Sequence, residues 1–250
     1  MIVLQTIAVA LSMFSALPMP QFEWNERNMR YTMCAFPLIG LICGGLWWLC
    51  GLAPLPTLVR GALFTLVPVL VTGGIHLDGY ADTCDALSSY GDREKKLAIL
   101  SDPHCGAFAV IRLCTYFVAY FAVASSVAFS VRTAILMTLA FMLERSLSGF
   151  AVAAFPMAKN TGLAHTFATA ADRRTVRGIL AALSLVLCVG MLCLGGWAMV
   201  LAALAVLGWY YRVSRKQFGG ITGDLAGWFL QKAEFWMLAA LLTCQWGGLL

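Results

Sequence analysis

Eight stretches of largely apolar residues limit what this 250-residue chain can fold into. They fall at about 2–17, 33–53, 59–77, 106–129, 133–155, 178–195, 197–212 and 225–246. A helix that crosses a bilayer needs about 20 such residues. Backbone N–H and C=O groups find no water in hydrocarbon, so each crossing segment must satisfy them internally. The pattern therefore predicts an all-α fold, a polytopic transmembrane helical bundle of about eight spans. Seven is the alternative, because the first stretch is short enough to be re-entrant and Gly195-Gly196 could join two spans into one bent hairpin. Alternating strands of roughly ten residues, the mark of a membrane barrel, do not occur.

Composition points the same way. The chain is 61% hydrophobic and 12% charged, with mean hydropathy +0.82, against about 45–50% and about 25% in soluble domains. We read residues 1–250 as a single integral membrane catalytic domain in contact with the lipid bilayer. The segment Met1 to Leu17 lacks a basic start and a small-residue cleavage site, so it reads as a retained helix. The nine cysteines form no CxxC pair, and most sit in apolar runs as small hydrophobes.

The net charge of +5 does not signal nucleic acid, because the bases gather at the ends of spans. With eight spans, one side receives Arg27, Arg30, Arg93, Lys95, Lys96, Lys159, Arg173, Arg174, Arg177, Arg212, Arg215 and Lys216. The other receives only Arg60 and Arg132. Such asymmetry marks the rich side as cytoplasmic. The expected location is the cytoplasmic (inner) membrane. The acids outside the spans, Glu23, Glu26, Asp78, Asp82, Asp85, Asp92, Glu94, Asp102, Asp172 and Asp224, lie on that side too. Topology does not require this, since acids contribute little to orientation. An active site on the cytoplasmic face would.

The most informative stretch is TGGIHLDGYADTCDALSSYGD at 72–92. Asp78, Asp82 and Asp85 are spaced i, i+4, i+7, which puts them on one face of a helix. Carboxylates sharing a face repel unless a cation neutralises them. Hard oxygen ligands suit Mg²⁺, which typically takes one or two carboxylates plus substrate phosphates. Gly73, Gly74 and Gly79 permit close approach, and His76 stands at the same place. Asp102, in SDPHCG at 101–106, reads as a helix cap, a fourth metal ligand or a general base. In GGITGD at 219–224, Gly219, Gly220 and Gly223 precede a helix that Thr222 or Asp224 could cap, a setting that suits a phosphate. Arg215 and Lys216 lie just upstream. Within spans, Arg145 is expected to line a cavity and grip phosphate, not to pair with the adjacent Glu144. Glu234 is a further charge in a span.

These strings carry a resemblance. GGIHLDGYADTCDAL at 73–87, the Asp102/Gly106 loop, GGITGD at 219–224, FSALPMP at 14–20 and AFPLIGLICGG at 35–45 resemble the cobalamin synthase family, the adenosylcobinamide-GDP ribazoletransferases. That resemblance covers nearly the whole chain in order. It implies a magnesium-dependent phosphotransferase of cobalamin biosynthesis. Such an enzyme joins α-ribazole, or its 5′-phosphate, to the nucleotide diphosphate substrate adenosylcobinamide-GDP and releases GMP. Metal would rest on Asp78, Asp82, Asp85 and Asp102, with Asp102 as base and Asp85 in reserve. Substrate would meet Gly73, Gly74, His76, Gly79, Arg145, Arg215, Lys216, Gly219, Gly220, Thr222, Gly223, Asp224 and Glu234. A homo-oligomer is compatible with the sequence. The alternatives are a CDP-alcohol phosphotransferase-like lipid enzyme, whose signature this spacing does not follow, and a secondary transporter.

Overall fold

The computed structural model describes residues 2–250, apart from the side chains of Glu26, Leu163 and Ala164. In chain order its helices are α1 (Ile2–Phe14), α2 (Glu26–Met29), α3 (Thr32–Ala35), α4 (Pro37–Leu52), α5 (Thr57–Thr72), α6 (Ile75–Ser88) and α7 (Arg93–Ile99). They continue with α8 (Ala107–Ser126), α9 (Val131–Ala154), α10 (Leu163–Ala170), α11 (Arg173–Cys193), α12 (Trp197–Val213) and α13 (Gly223–Trp246). A π-helical segment, Ser214–Phe218, extends α12. Among the described residues the only β pairing is an isolated parallel bridge between Met157 and Ile221.

Each of the eight expected stretches carries a helix. Four helices are long and apolar enough to cross a membrane: Ala107–Ser126, Val131–Ala154, Arg173–Cys193 and Trp197–Phe218. Two bent pairs raise the number to six, Arg27–Ala35 with Pro37–Leu52 at 40° and Thr57–Thr72 with Ile75–Ser88 at 96°. Helix α13 is long enough, but Asp224, Lys232 and Glu234 lower its hydropathy. Its neighbours shelter it, and it is buried along most of its length. Helix α1 has 13 residues, which reach only about 20 Å of a hydrocarbon core about 30 Å thick. The Gly195-Gly196 step separates α11 from α12 as two helices and does not fuse them into one.

The expected continuous span at 59–77 is corrected. Helix α5 stops at Thr72, and the consecutive glycines Gly73 (φ 64°) and Gly74 (φ 82°) adopt left-handed backbone. That conformation is cheap only without a Cβ. The chain leaves α5 there, and α6 sets off at 96° beyond the crossing helix.

Helix α9 is the centre of the bundle, packed on α4 and α11, while α13 packs on α6 and α12. Without a hydrophobic driving force in lipid, helices associate where small residues let backbones approach. Gly40 and Gly44, one turn apart on α4, do this. A Cβ at Gly40 would overlap the Phe141 carbonyl of α9, and one at Gly44 would meet Thr138. Gly45, next in sequence, faces open space. Outward faces carry large apolar side chains, including Leu49, Leu52, Leu58, Leu70, Val118, Leu185 and Val186, the surface that lipid covers. All nine cysteines are free thiols.

Replacing Gly40 by leucine should force α4 from α9 and destabilise the detergent-purified protein by about 3 kcal/mol. Gly45→Leu should leave the melting temperature unchanged, so thermal melts of the two variants side by side test the contact.

Candidate active site

Two glycine contacts bring the acidic helix against the start of α13. A Cβ at Gly79 would sit 2.8 Å from the Asp224 Cα, and one at Gly227 would sit 2.8 Å from the His76 carbonyl oxygen. With no side chain between them, the backbones of α6 and α13 lie almost in contact. Thr222 caps α13, its Oγ1 accepting from the Leu225 N–H at 3.2 Å and donating to Asp224 Oδ2 at 3.2 Å. Either Thr222 or Asp224 could have been the cap on sequence grounds; the threonine is.

The glycine-rich turn is pinned from the other side. Ile221 N–H donates to the Pro156 carbonyl and Ala158 N–H to the Ile221 carbonyl, each at 2.8 Å. Gly220 lies so close to Met157 that a Cβ would collide with its backbone. The segment after α9 and the turn before α13 therefore hold each other in register.

Between these elements lies a cavity of about 490 Å³, within the range of small-molecule sites. Asp78, Gly79, His76, Thr222, Gly223, Asp224, Lys159, Ser101 and Ser148 line its polar part. Phe14, Met33, Phe36, Val152, Phe167 and Leu230 line its apolar part. Lys159 Nζ donates to the Leu97 carbonyl at 2.9 Å and to Ser101 Oγ, and its charge reaches Asp224.

Helix α6 continues past the cavity with Asp82 and Asp85. Burial, and then the charges of Asp78, Asp224 and Asp85, push the Asp82 carboxyl from the ordinary aspartate value up to about 6. Four carboxylates thus share one neighbourhood. Among the described residues, no three His, Cys, Asp or Glu side chains already close around a common point as a metal cage would. The donor set still suits magnesium, which needs only one or two carboxylates if substrate oxygens complete its shell. Asp85 packs against Gly106, where a Cβ would strike its carboxylate. Burial, helped by the Arg145 charge, pushes His76 down to about 3 and keeps it neutral.

Several expected site residues stand elsewhere. Asp102 does not cap α8, whose N-cap is Gly106. Its side chain is 54% exposed and accepts from the His104 backbone N–H at 2.9 Å, with the His104 ring nitrogen 2.7 Å away. Those hydrogen bonds hold its carboxyl below the usual range, which weakens it as a base. Arg145 does not line the cavity. It is fully buried between helices, donating to Glu144 and to the Phe141 carbonyl at 2.9 Å, with Cys43 Sγ 3.6 Å away. The expectation that adjacent residues could not pair overlooked the arginine's length, which lets it fold back. Glu234 is buried beside this pair, not in the cavity. Arg215 and Lys216 are exposed on the π-helical segment and do not reach the cavity wall. Gly73 and Gly74 form the bend, and Gly219 (φ 78°) lies against Arg93.

Lys159 and the aromatic residues Phe14, Phe36 and Phe167 were not singled out from sequence. Lys159 read as one of many topogenic bases, Phe14 and Phe36 only as members of the strings FSALPMP and AFPLIGLICGG, and Phe167 as part of a connection between spans. Only their convergence in space distinguishes them.

A family model described as cobalamin-5-phosphate synthase matches residues 6–242. A protein of Lachnoclostridium phytofermentans named adenosylcobinamide-GDP ribazoletransferase is 41% identical over 249 residues, covering 97% of this chain and 95% of that one. Proteins of the same name from Pseudomonas putida strain W619 and Clostridium botulinum strain Alaska E43 are 34% and 32% identical. The first alignment covers 93% of this chain and 96% of the relative, the second 91% and 93%. No solved structure matches the chain.

The acidic neighbourhood has a pH signature. A carboxyl whose pKa is raised by folding favours the fold while protonated and opposes it once ionised. For Asp82 that contribution is present at low pH and lost as pH rises through about 6. Asp82→Asn should therefore raise the melting temperature of the metal-free protein at pH 8, with the gain shrinking towards pH 4. Melting curves across that range check it.

Proposed function

Because the chain belongs to the cobalamin-5-phosphate synthase family, we propose that it is an adenosylcobinamide-GDP ribazoletransferase acting at the cytoplasmic face of the inner membrane. The observation that supports this most is the set of carboxylates on α6 facing the capped, glycine-rich start of α13. That pairing suits a nucleotide diphosphate bound through a cation. Asp224 sits in the first turn of α13, where it would repel a bare phosphate. A phosphate settles at that helix end only with a positive charge between them. Lys159 supplies one such charge, and a magnesium ion held by Asp78 and Asp82 would supply the other, with Asp85 behind them.

In the reaction, a ribose hydroxyl of α-ribazole, or of its 5′-phosphate, attacks the phosphorus nearest cobinamide. A new P–O bond forms there as the bond to the bridging oxygen breaks, and GMP departs with that electron pair. When bound, magnesium would neutralise the diphosphate and the charge gathering on the leaving phosphate. The hydroxyl proton needs an acceptor within hydrogen-bond reach. Asp224 lines the cavity and engages Thr222 through one carboxyl oxygen, leaving the other for the proton. Asp102, the candidate suggested by sequence alone, would need to turn in from solvent. Lys159, on the same wall, steadies a phosphate oxygen. The apolar part of the cavity excludes water, which otherwise competes with the hydroxyl as nucleophile.

Purified protein in liposomes should convert adenosylcobinamide-GDP and α-ribazole into a cobalamin and one equivalent of GMP, both read by mass spectrometry. Asp82→Asn should lower kcat by about 100-fold or more, and a chelator should stop turnover until magnesium is restored. Wild-type protein that moves substrate across the membrane without releasing GMP would overturn the assignment.

A further inference from the structure

Two basic side chains lie within spans and have no acid to meet them. Arg112 belongs to α8 and Lys232 to α13, about 8 Å and about 14 Å along the axis from each helix start. Both helices start at the acidic end of the bundle, because Gly106, before α8, lies against Asp85, and Asp224, in α13, lies against Gly79. The two bases therefore occupy one leaflet, and their long side chains can reach its headgroups. The ion pairs among the described residues are Arg30–Asp172, Asp102–His104 and Glu144–Arg145, and neither base takes part in one.

Helix α6 keeps them from the carboxylates of the site. Asp78, Asp82 and Asp85 share one face of that helix, whereas Tyr80 and Cys84 fall on the opposite face. It is this second face that the bases approach. The charges of Arg112 and Lys232 both reach Cys84, and that of Arg112 also reaches Tyr80 and Lys232. Lys232 Nζ stands 5.5 Å from the Tyr80 ring centroid and 5.6 Å from that of Trp209. Ring faces attract an ammonium, but they leave its charge in place. Bases in a span are costly, and two that sit near each other without a carboxylate call for an anion from outside the chain.

The surroundings say what carries that anion. Arg112 is exposed, and its neighbours Phe108, Val110 and Ile111 are exposed as well. Further along the same helices, Val118 of α8 and Trp236 of α13 present apolar surface. An occupant with a charged head and apolar tails fits both parts. We propose that Arg112 and Lys232 form a binding site for the phosphate of an anionic phospholipid in the leaflet beside the acidic helix. The guanidinium fork of Arg112 grips two phosphate oxygens, Lys232 adds a point charge, and acyl chains follow α8 and α13. The lipid joins α8 to α13, the two helices between which α6 packs, and so steadies a wall of the cavity from outside. The site stands whatever reaction the cavity performs.

The test places the full-length protein in nanodiscs of phosphatidylcholine with and without phosphatidylglycerol. Wild type is compared with Arg112→Gln, Lys232→Gln and Arg177→Gln, the last an exposed base near the start of α11 and outside the site. Lipid retained by the protein is read by native mass spectrometry, and stability by thermal melts. Wild type should retain phosphatidylglycerol over phosphatidylcholine, with about fivefold preference from each base, and should melt higher when it is present. Arg112→Gln and Lys232→Gln should each lose most of that preference and of the rise in melting temperature, and Arg177→Gln should keep both. Arg112→Gln should melt like wild type in phosphatidylcholine alone, since its exposed side chain packs against little, so its loss reads binding and not folding. Absence of any lipid preference in wild type, or an equal loss in Arg177→Gln, would overturn the site. Inorganic phosphate that raises the wild-type melting temperature in phosphatidylcholine as much as phosphatidylglycerol does would overturn the lipid as its occupant.

Discussion

Gly79 and Gly227 let the backbone of α6 lie against that of α13, and the layout of charge at this end of the bundle follows from that contact. Side chains at either position would hold the two helices apart. Asp224 would then move away from Asp78 and Asp82, and the cavity would lose one wall. The double glycine before α6 is the other half of the device. It turns the chain out of the α5 span, so that a helix too acidic for hydrocarbon lies beyond it. A third fixed point is the bridge of Ile221 to the segment after α9, which sets the height of the glycine-rich turn. Three short-range backbone features thus place carboxylates drawn from residues almost 150 positions apart.

Deeper in the bundle, Glu144, Arg145 and Glu234 form a charged cluster that the cavity does not use. An isolated charge there would be prohibitive. Arg145 meets Glu144 directly and also bonds the Phe141 carbonyl. Glu234 approaches from α13, with Tyr120 of α8 beside it. Each helix contributes a group that is costly alone and tolerable together. The cluster therefore favours one arrangement of α8, α9 and α13, and with them the walls of the cavity. Glu234, with Asp224 and Lys232, also explains why α13 has a modest hydropathy although lipid surrounds the bundle.

Much of this was legible in the sequence. The i, i+4, i+7 spacing of Asp78, Asp82 and Asp85 specified both a helix and a common face, because local geometry alone decides it. The glycines before Thr222 announced the turn and the capped helix for the same reason. Arg145 and Asp102 were misplaced from sequence although their partners lie within a few residues of them. Arg145 was expected in a cavity because a charge in a span usually serves one, yet its carboxylate partner was adjacent. Asp102 was expected at the helix start, but Pro103 and His104 form their own turn and Gly106 begins the helix. Lys159 and Phe167 carry no local signal at all, and Phe14 and Phe36 none beyond the family strings that contain them. They become a site only when α1, α3, α6, α9, α10 and α13 meet.

The central claim is that the carboxylates of α6 and the start of α13 share one cation with a diphosphate. Electron paramagnetic resonance of bound Mn²⁺, replacing magnesium in the presence of a nucleotide diphosphate, tests it most directly. One tightly bound ion with strong phosphorus coupling, lost in Asp78→Asn and Asp82→Asn but retained in Asp102→Asn, is the predicted spectrum. A phosphorus-coupled ion that survives both α6 substitutions would contradict the account.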